Sequence, residues 1–249
     1  MGAGTITAVM TQSTRNPATY PRVLLGVFVL YAAAWAYRPV DVKDWALENA
    51  LAALFVVALV LSYRRFPLSN VSYTLIFVFL CLHTVGAHYT YSLVPYDAWA
   101  ENVAGTTINE TFGFQRNHFD RLVHFCFGLL LAYPIRELFL RVAGVRGFWG
   151  YYLPLDVTMS FSMLYELIEW AAAAVLGAEL GQAYLGTQGD VWDAHKDMAL
   201  ATLGAVIAMA LVALINWKFD RNFGAEFRDS FSVKGAALGE TRLRELLRK

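Results

Sequence analysis

Seven ionisable residues lie in or beside apolar stretches of this chain: Asp120 and His124, Glu166 and Glu169, then Asp190, Asp193 and Asp197. A charge inside a bilayer costs about 2.5 to 3.5 kcal/mol on insertion scales, so such residues face a bundle interior or a watered cavity and are functional candidates by default. Positions three or four apart share one helical face. Asp120 and His124 are therefore expected to project together, as are Glu166 and Glu169. Asp190, Asp193 and Asp197 form one stripe if that whole stretch is helical. So many carboxylates cannot all be ionised in a low-dielectric pocket; some must be protonated, be paired with Arg121, Lys196 or His195, or surround a cation. Carboxylates with a neutral imidazole suit a divalent metal such as zinc or manganese, and an oxygen-only set suits magnesium or calcium. The expected ligands are His124, Asp120, Asp193 and Asp197, with Glu166 and Glu169 as expected catalytic bases.

Simpler roles compete for several of these residues. Asp120 and Asp197 each stand near an expected helix start, where a carboxylate caps exposed N–H groups. Asp190 and Asp193 also fit solvated acids of a loop. Glu166 and Glu169 fall mid-helix, with no cap to make and little water to meet, so a buried role is expected there. His83 and His88, five apart, point roughly 140° away from one another and cannot both line one narrow site. His88 is the better supplementary ligand, set against a hydrogen-bonded core histidine. Glu48 and Asn49 are further candidates for the site, with an interfacial position as the simpler alternative, and Arg136 with Glu137 fits interhelical pairing or snorkelling.

The elements that position these residues follow from composition. Of 249 residues, 57% are hydrophobic and only 16% charged, more apolar than a soluble domain of this length requires. The expected fold is all-α, a polytopic membrane protein. Segments of about 20 apolar residues place helices at roughly Pro21 to Tyr37, Trp45 to Tyr63, Tyr73 to Val94, Leu122 to Leu140, Leu155 to Leu176 and Met198 to Trp217. The domain plan is a polar tail over 1–20, one six-helix membrane domain over 21–217, and a C-terminal tail over 218–249, for which a short amphipathic helix near Glu240 and a solvated tail are the two alternatives. The start Met1-Gly2-Ala3-Gly4-Thr5-Ile6 lacks the Ser or Thr that myristoylation needs at its sixth position. Cys81 and Cys126 lie in apolar segments and read as small core residues.

Basic residues favour short cytoplasmic loops. Arg15, Arg22, Arg64, Arg65, Arg136, Arg141, Arg146, Lys218, Arg221 and Arg228 gather at the termini and even-numbered connections, which places both termini in the cytoplasm. Asp120, His124, Asp193 and Asp197 then belong to the outer half of the bilayer, with Glu166 near mid-depth and Glu169 about 4.5 Å nearer the outer face. Trp35, Tyr37, Trp45, Tyr63 and Trp217 near segment ends read as an interfacial aromatic belt. A net charge of zero with scattered basic residues offers no nucleic-acid surface.

Three runs carry a family resemblance: Asn117 to Phe125 (NHFDRLVHF), Tyr165 to Trp170 (YELIEW) and Gly189 to Met198 (GDVWDAHKDM). Together they resemble the bacterial YjdF-type inner membrane proteins, over about Leu24 to Trp217. More distantly, Asp120-Arg121 with His124, then Glu166, then Asp197 with Gly204 resembles the VanZ-like pattern. Ala201 replaces an Asn usual there, and Ala208 a Gly. The first resemblance implies a bacterial inner-membrane location without a reaction, and the second a cell-envelope role. Fold-level likeness supplies no chemistry.

P-loop, Rossmann, Gly-x-Ser-x-Gly and His-Glu-x-x-His motifs are absent from the sequence. The leading expectation is a metal-dependent hydrolase or transferase, with zinc, manganese or magnesium, acting on a lipid or cell-envelope substrate. A proton- or metal-coupled carrier and a structural membrane subunit are the alternatives.

Overall fold

A computed structural model describes residues 19–176, 187–220, 222–232, 235 and 240–248. Each of the six expected segments is helical: α1 (Thr19–Trp35), α2 (Val42–Ser62), α3 (Asn70–His88), α6 (Phe119–Val142), α7 (Trp149–Leu176) and α8 (Asp193–Phe219). Between α3 and α6 lie two short helices, α4 (Tyr96–Ala104) and α5 (Ile108–Phe112), and after α8 come α9 (Phe223–Asp229) and α10 (Glu240–Leu247). No strand occurs among the described residues. The expected tail over 1–20 falls, but for Thr19 and Tyr20, outside the described residues. The segment after residue 218 contains the two helices α9 and α10, one of them at the candidate amphipathic stretch.

Helices α2, α3, α6 and α8 are long and apolar enough to cross a membrane. Helix α1 is apolar but shorter, at 17 residues, and α7 has 28 residues, about 42 Å at the helical rise. Backbone amides at helix starts find local acceptors. Asp41 receives the N–H groups of Lys43 and Asp44, and Ser69 that of Ser72. Much of the outer surface is apolar, as lipid requires: Leu30, Leu61 and Val175 are all exposed.

Helix α6 is the centre of the bundle, packed against α3, α7 and α8. Its approach to α8 depends on glycine. A Cβ at Gly128 would overlap the carbonyl oxygen of Ala201, and one at Gly204 the carbonyl oxygen of Phe125. Small residues let two backbones meet where lipid gives no hydrophobic drive for association. Ala201, fully buried in that seam, occupies its position because nothing larger fits.

The short α4–α5 unit covers one end of the bundle. The Tyr96 hydroxyl accepts the His118 N–H at 2.9 Å and donates to Asn109 at 2.7 Å, tying the cover to the start of α6. Gly105 and Gly113, both near φ +70°, end the two helices in the left-handed conformation. Sequence periodicity gave no sign of α4 and α5, which are short and polar.

Candidate functional site

Helix α6 starts at Phe119, directly after an N-cap His118 that makes no side-chain cap, so Asp120 sits inside the first turn. It does not cap the helix. Its Oδ1 instead lies 3.6 Å from Nε2 of His124, one turn on. Helix α8 starts at Asp193, five residues earlier than expected, which carries Asp197 past the capping positions and buries it. Asp120, His124 and Asp197 each present one ligand atom, all within 4.8 Å of one another. From α7, Oε1 of Glu166 lies 3.5 Å from the same His124 Nε2. Glu169, one turn further along, is 9% exposed and within electrostatic reach of Asp120, Glu166 and Asp197.

A fourth helix joins them. The buried residues of α2 are both acids, Asp44 and Glu48, four apart on an otherwise apolar helix. Glu48 accepts a hydrogen bond from the Tyr165 hydroxyl at 2.7 Å, and the Tyr165 ring stands edge-on to His124 with centroids 5.8 Å apart. The interfacial alternative for Glu48 therefore fails. It faces the bundle, in the same layer as Glu169. Spacing could have decided for the site, since Asp44 and Glu48 obey the same four-residue rule that singled out Asp120 and His124.

Asp193 separates from this group. Its Oδ1 pairs with Arg116 Nη2 at 2.8 Å and Arg121 Nη2 at 3.0 Å. Asp190 pairs with Arg121 at 2.6 Å and Lys196 at 2.5 Å. Two acids and three cations thus form a clamp between the α5–α6 connection and the entry to α8. Asp193 is 3% exposed, so it is no solvated loop acid. Asp190 lies in the turn before α8, outside the expected helical stripe. Its carboxyl is held well below the usual range, first by the Lys196 hydrogen bond, then by the Trp192 N–H and by Arg121. His195 is exposed beside Trp192 and pairs with none of these acids in the described contacts.

The histidines of α3 have other partners. His88 Nδ1 lies 2.7 Å from the Trp35 carbonyl, the hydrogen-bonded core alternative, and His83 Nδ1 lies 2.5 Å from the Tyr91 hydroxyl.

Once the clamp is set apart, five carboxyl groups (Glu48, Asp120, Glu166, Glu169, Asp197) surround one imidazole. Two of their oxygens, Glu166 Oε1 and Asp197 Oδ1, are buried without a hydrogen-bond partner. Buried oxygens in that state need a proton, water or a cation. All five sit within about 15 Å of the same bundle end, counted along their helices at 1.5 Å per residue.

The chain is 36% identical over 201 residues to "Inner membrane protein YjdF" of Escherichia coli (strain K12), an alignment covering 80% of this chain and 90% of that protein. No solved structure matches it. The family described as "Predicted membrane protein (DUF2238)" matches residues 20–218, a span that takes in α1 through nearly all of α8 and every residue of the site. The chain belongs to this family of membrane proteins, the DUF2238 family.

Proposed function

We propose that this is a multi-pass enzyme of the bacterial inner membrane that holds a divalent metal ion on His124, Asp120 and Asp197 and acts on a lipid-linked phosphate or ester. One observation carries the proposal. Ligand atoms of His124, Asp120 and Asp197 all lie within 4.8 Å of one another, and His124 Nε2 stands 3.6 Å from Asp120 Oδ1, too far for a strong hydrogen bond. Two ligands of a tetrahedral metal at about 2.1 Å are separated by about 3.4 Å. The unpartnered oxygens of Glu166 and Asp197 add support, since a cation would satisfy both. Such an ion supplies a Lewis acid that makes water a competent nucleophile near neutral pH.

Within that scheme Glu166 or Glu169 takes the proton of the attacking water and returns one to the leaving oxygen. Glu48 orients Tyr165, which fixes the edge of the His124 ring. The Escherichia coli relative's name supports the choice of membrane.

Metal analysis of the purified protein beside His124→Ala and Glu166→Gln is the test. A stoichiometric divalent ion is expected in the wild type, with most of it lost from His124→Ala. Equal content in all three proteins, or none in the wild type, would sink the metal assignment. Lipid extracts from cells with and without the protein then examine the substrate class: accumulation of one phosphate- or ester-bearing lipid is expected in its absence.

A carrier is the second reading, favoured by Thr158 and Ser162. Both are buried on the Glu166 face of α7, eight and four residues before it, and Ser162 Oγ has no hydrogen-bond partner. This polar face extends from the cluster toward the other end of the bundle. Metal-dependent proton movement in proteoliposomes would favour the carrier over the enzyme.

A further inference from the structure

A second polar cavity lies at the opposite end of the bundle, far from the carboxylates. It encloses about 240 Å³ between α6, the α6–α7 turn, α7, α8 and α9, room for about eight waters at roughly 30 Å³ each. Arg136 enters it from α6. The neighbouring Glu137 does not pair with Arg136, since it turns to α3 and receives the Ser69 N–H at 2.8 Å, the Ser72 hydroxyl at 2.5 Å and Arg141 at 2.5 Å.

Arg136 is left with the face of Tyr151, its Cζ 4.7 Å from the ring centroid. Its Nε is buried with no hydrogen-bond partner, and among the described residues no carboxylate lies within 4.0 Å of its guanidinium nitrogens. Of the two acids that also line the cavity, Glu226 faces Arg146 across it at 3.5 Å and Asp220 accepts the Asn222 N–H at 2.9 Å, so neither partners Arg136. Opposite Arg136, Asn216 Nδ2 donates to the Tyr151 hydroxyl at 2.7 Å, so the hydroxyl keeps its own proton to donate.

The wall formed by α9 is fixed in place. Ser230 Oγ accepts the Phe148 N–H at 3.2 Å, and the Ser230 carbonyl accepts Trp149 Nε1 at 2.9 Å. Gly147, at φ +58°, admits the backbone of Glu226 where a Cβ would collide with it. The C-terminal segment is therefore a built cover for the cavity.

A partly buried arginine fork with no anion, beside further donors and at the basic end of a membrane bundle, is complementary to phosphate. Basic pockets between spanning helices take lipid headgroups in this way. We propose that this cavity is a phosphate-binding site, with Arg136 as its principal ligand and Arg146 and Tyr151 as auxiliary donors. The group is carried by an anionic lipid of the adjoining leaflet or by free phosphate. The proposal stands apart from the metal cluster and survives or fails without it.

The test is calorimetric titration of the full chain in neutral detergent with three probes: dihexanoyl phosphatidylglycerol, inorganic phosphate, and dihexanoylglycerol, which lacks phosphate. Saturable binding of one of the first two is expected, weakened roughly 10-fold or more in Arg136→Gln, as loss of a charged hydrogen bond predicts. Arg64→Gln, which removes one exposed charge at the same end, should bind like the wild type. Preference for the lipid over inorganic phosphate assigns the site to a headgroup, and equal binding assigns it to the free anion. Should Arg136→Gln fail to fold, Arg136→Lys serves, since it keeps the charge, loses the fork and should give a smaller loss. Binding that is equal for dihexanoylglycerol, undiminished in the Arg136 variants, or absent for both phosphate probes overturns the proposal.

Discussion

Arg116, Arg121 and Lys196 are committed to Asp190 and Asp193, and this leaves the deeper carboxyls with the His124 imidazole as their nearest basic neighbour. Removing Asp193 would take the closest carboxylate from Arg116 and one of two from Arg121, and so change the electrostatics of the cluster without touching it. Asp190 is the accessible handle on the clamp. Its carboxyl is depressed in the folded protein, chiefly by Lys196, so it contributes stability above its unfolded value of about 3.9 and loses that contribution as pH falls through the folded value. Below about pH 4 the wild type should therefore lose thermal stability faster than Asp190→Asn, which has no charge to neutralise. Melting temperatures in detergent from pH 6 to 3 provide the measurement. Parallel acid slopes for the two proteins would show that Asp190 contributes nothing to the clamp.

Helices α6 and α8 hold the cluster because their backbones nearly touch, so the spacing of Asp120, His124 and Asp197 depends on Gly128 and Gly204. Gly204→Val should force the pair apart and destabilise by about 1 to 3 kcal/mol or more, the usual cost of overpacking. Gly26→Val on α1 is the matched control, since its new side chain would meet nothing within 4 Å. Equal melting temperatures would mean that the seam yields without cost. The six long helices were legible because apolar runs of membrane length have few other uses, and His124, Glu166 and Asp197 were legible because ionisable residues are costly in such runs. For Asp193 and Glu48 the candidates were legible but the outcome was not: pairing of Asp193 with arginine stood beside metal ligation, and an interfacial place for Glu48 beside the site. The partner of a side chain depends on where its helix starts and which way it faces. The five extra residues at the start of α8, which set Asp193 against its arginines and Asp197 in the cluster, and the inward face of α2, are fixed by tertiary contacts. Helices α4 and α5 escaped because short polar helices take their stability from packing, here the Tyr96 and Asp97 bonds to Asn109.

At the scale of the whole molecule the two ends carry different chemistry. The carboxylate cluster and its clamp lie below the α4–α5 cover, whereas Arg64, Arg65, Arg136, Arg141, Arg146 and Lys218 gather at the other end, which the positive-inside rule assigns to the cytoplasm. This asymmetry sets which compartment each polar end of the bundle faces. It also depends on α7, which carries Glu166 and Glu169 between the two ends. Thr106, in the α4–α5 connection, and Ser232, after α9, are both exposed and are separated by α6, α7 and α8. Single cysteines placed there, with Cys81 and Cys126 replaced, should be labelled from opposite sides. In spheroplasts a membrane-impermeant maleimide should modify Thr106→Cys at once and Ser232→Cys only after permeabilisation. The reverse pattern would turn the bundle over and put the carboxylate cluster within reach of cytoplasmic substrates. Labelling of both from one side would mean an even number of crossings between them. In that case α7 would not span, and the pairing of Glu166 with His124 would have to form at the membrane surface, where a lipid substrate would no longer be required.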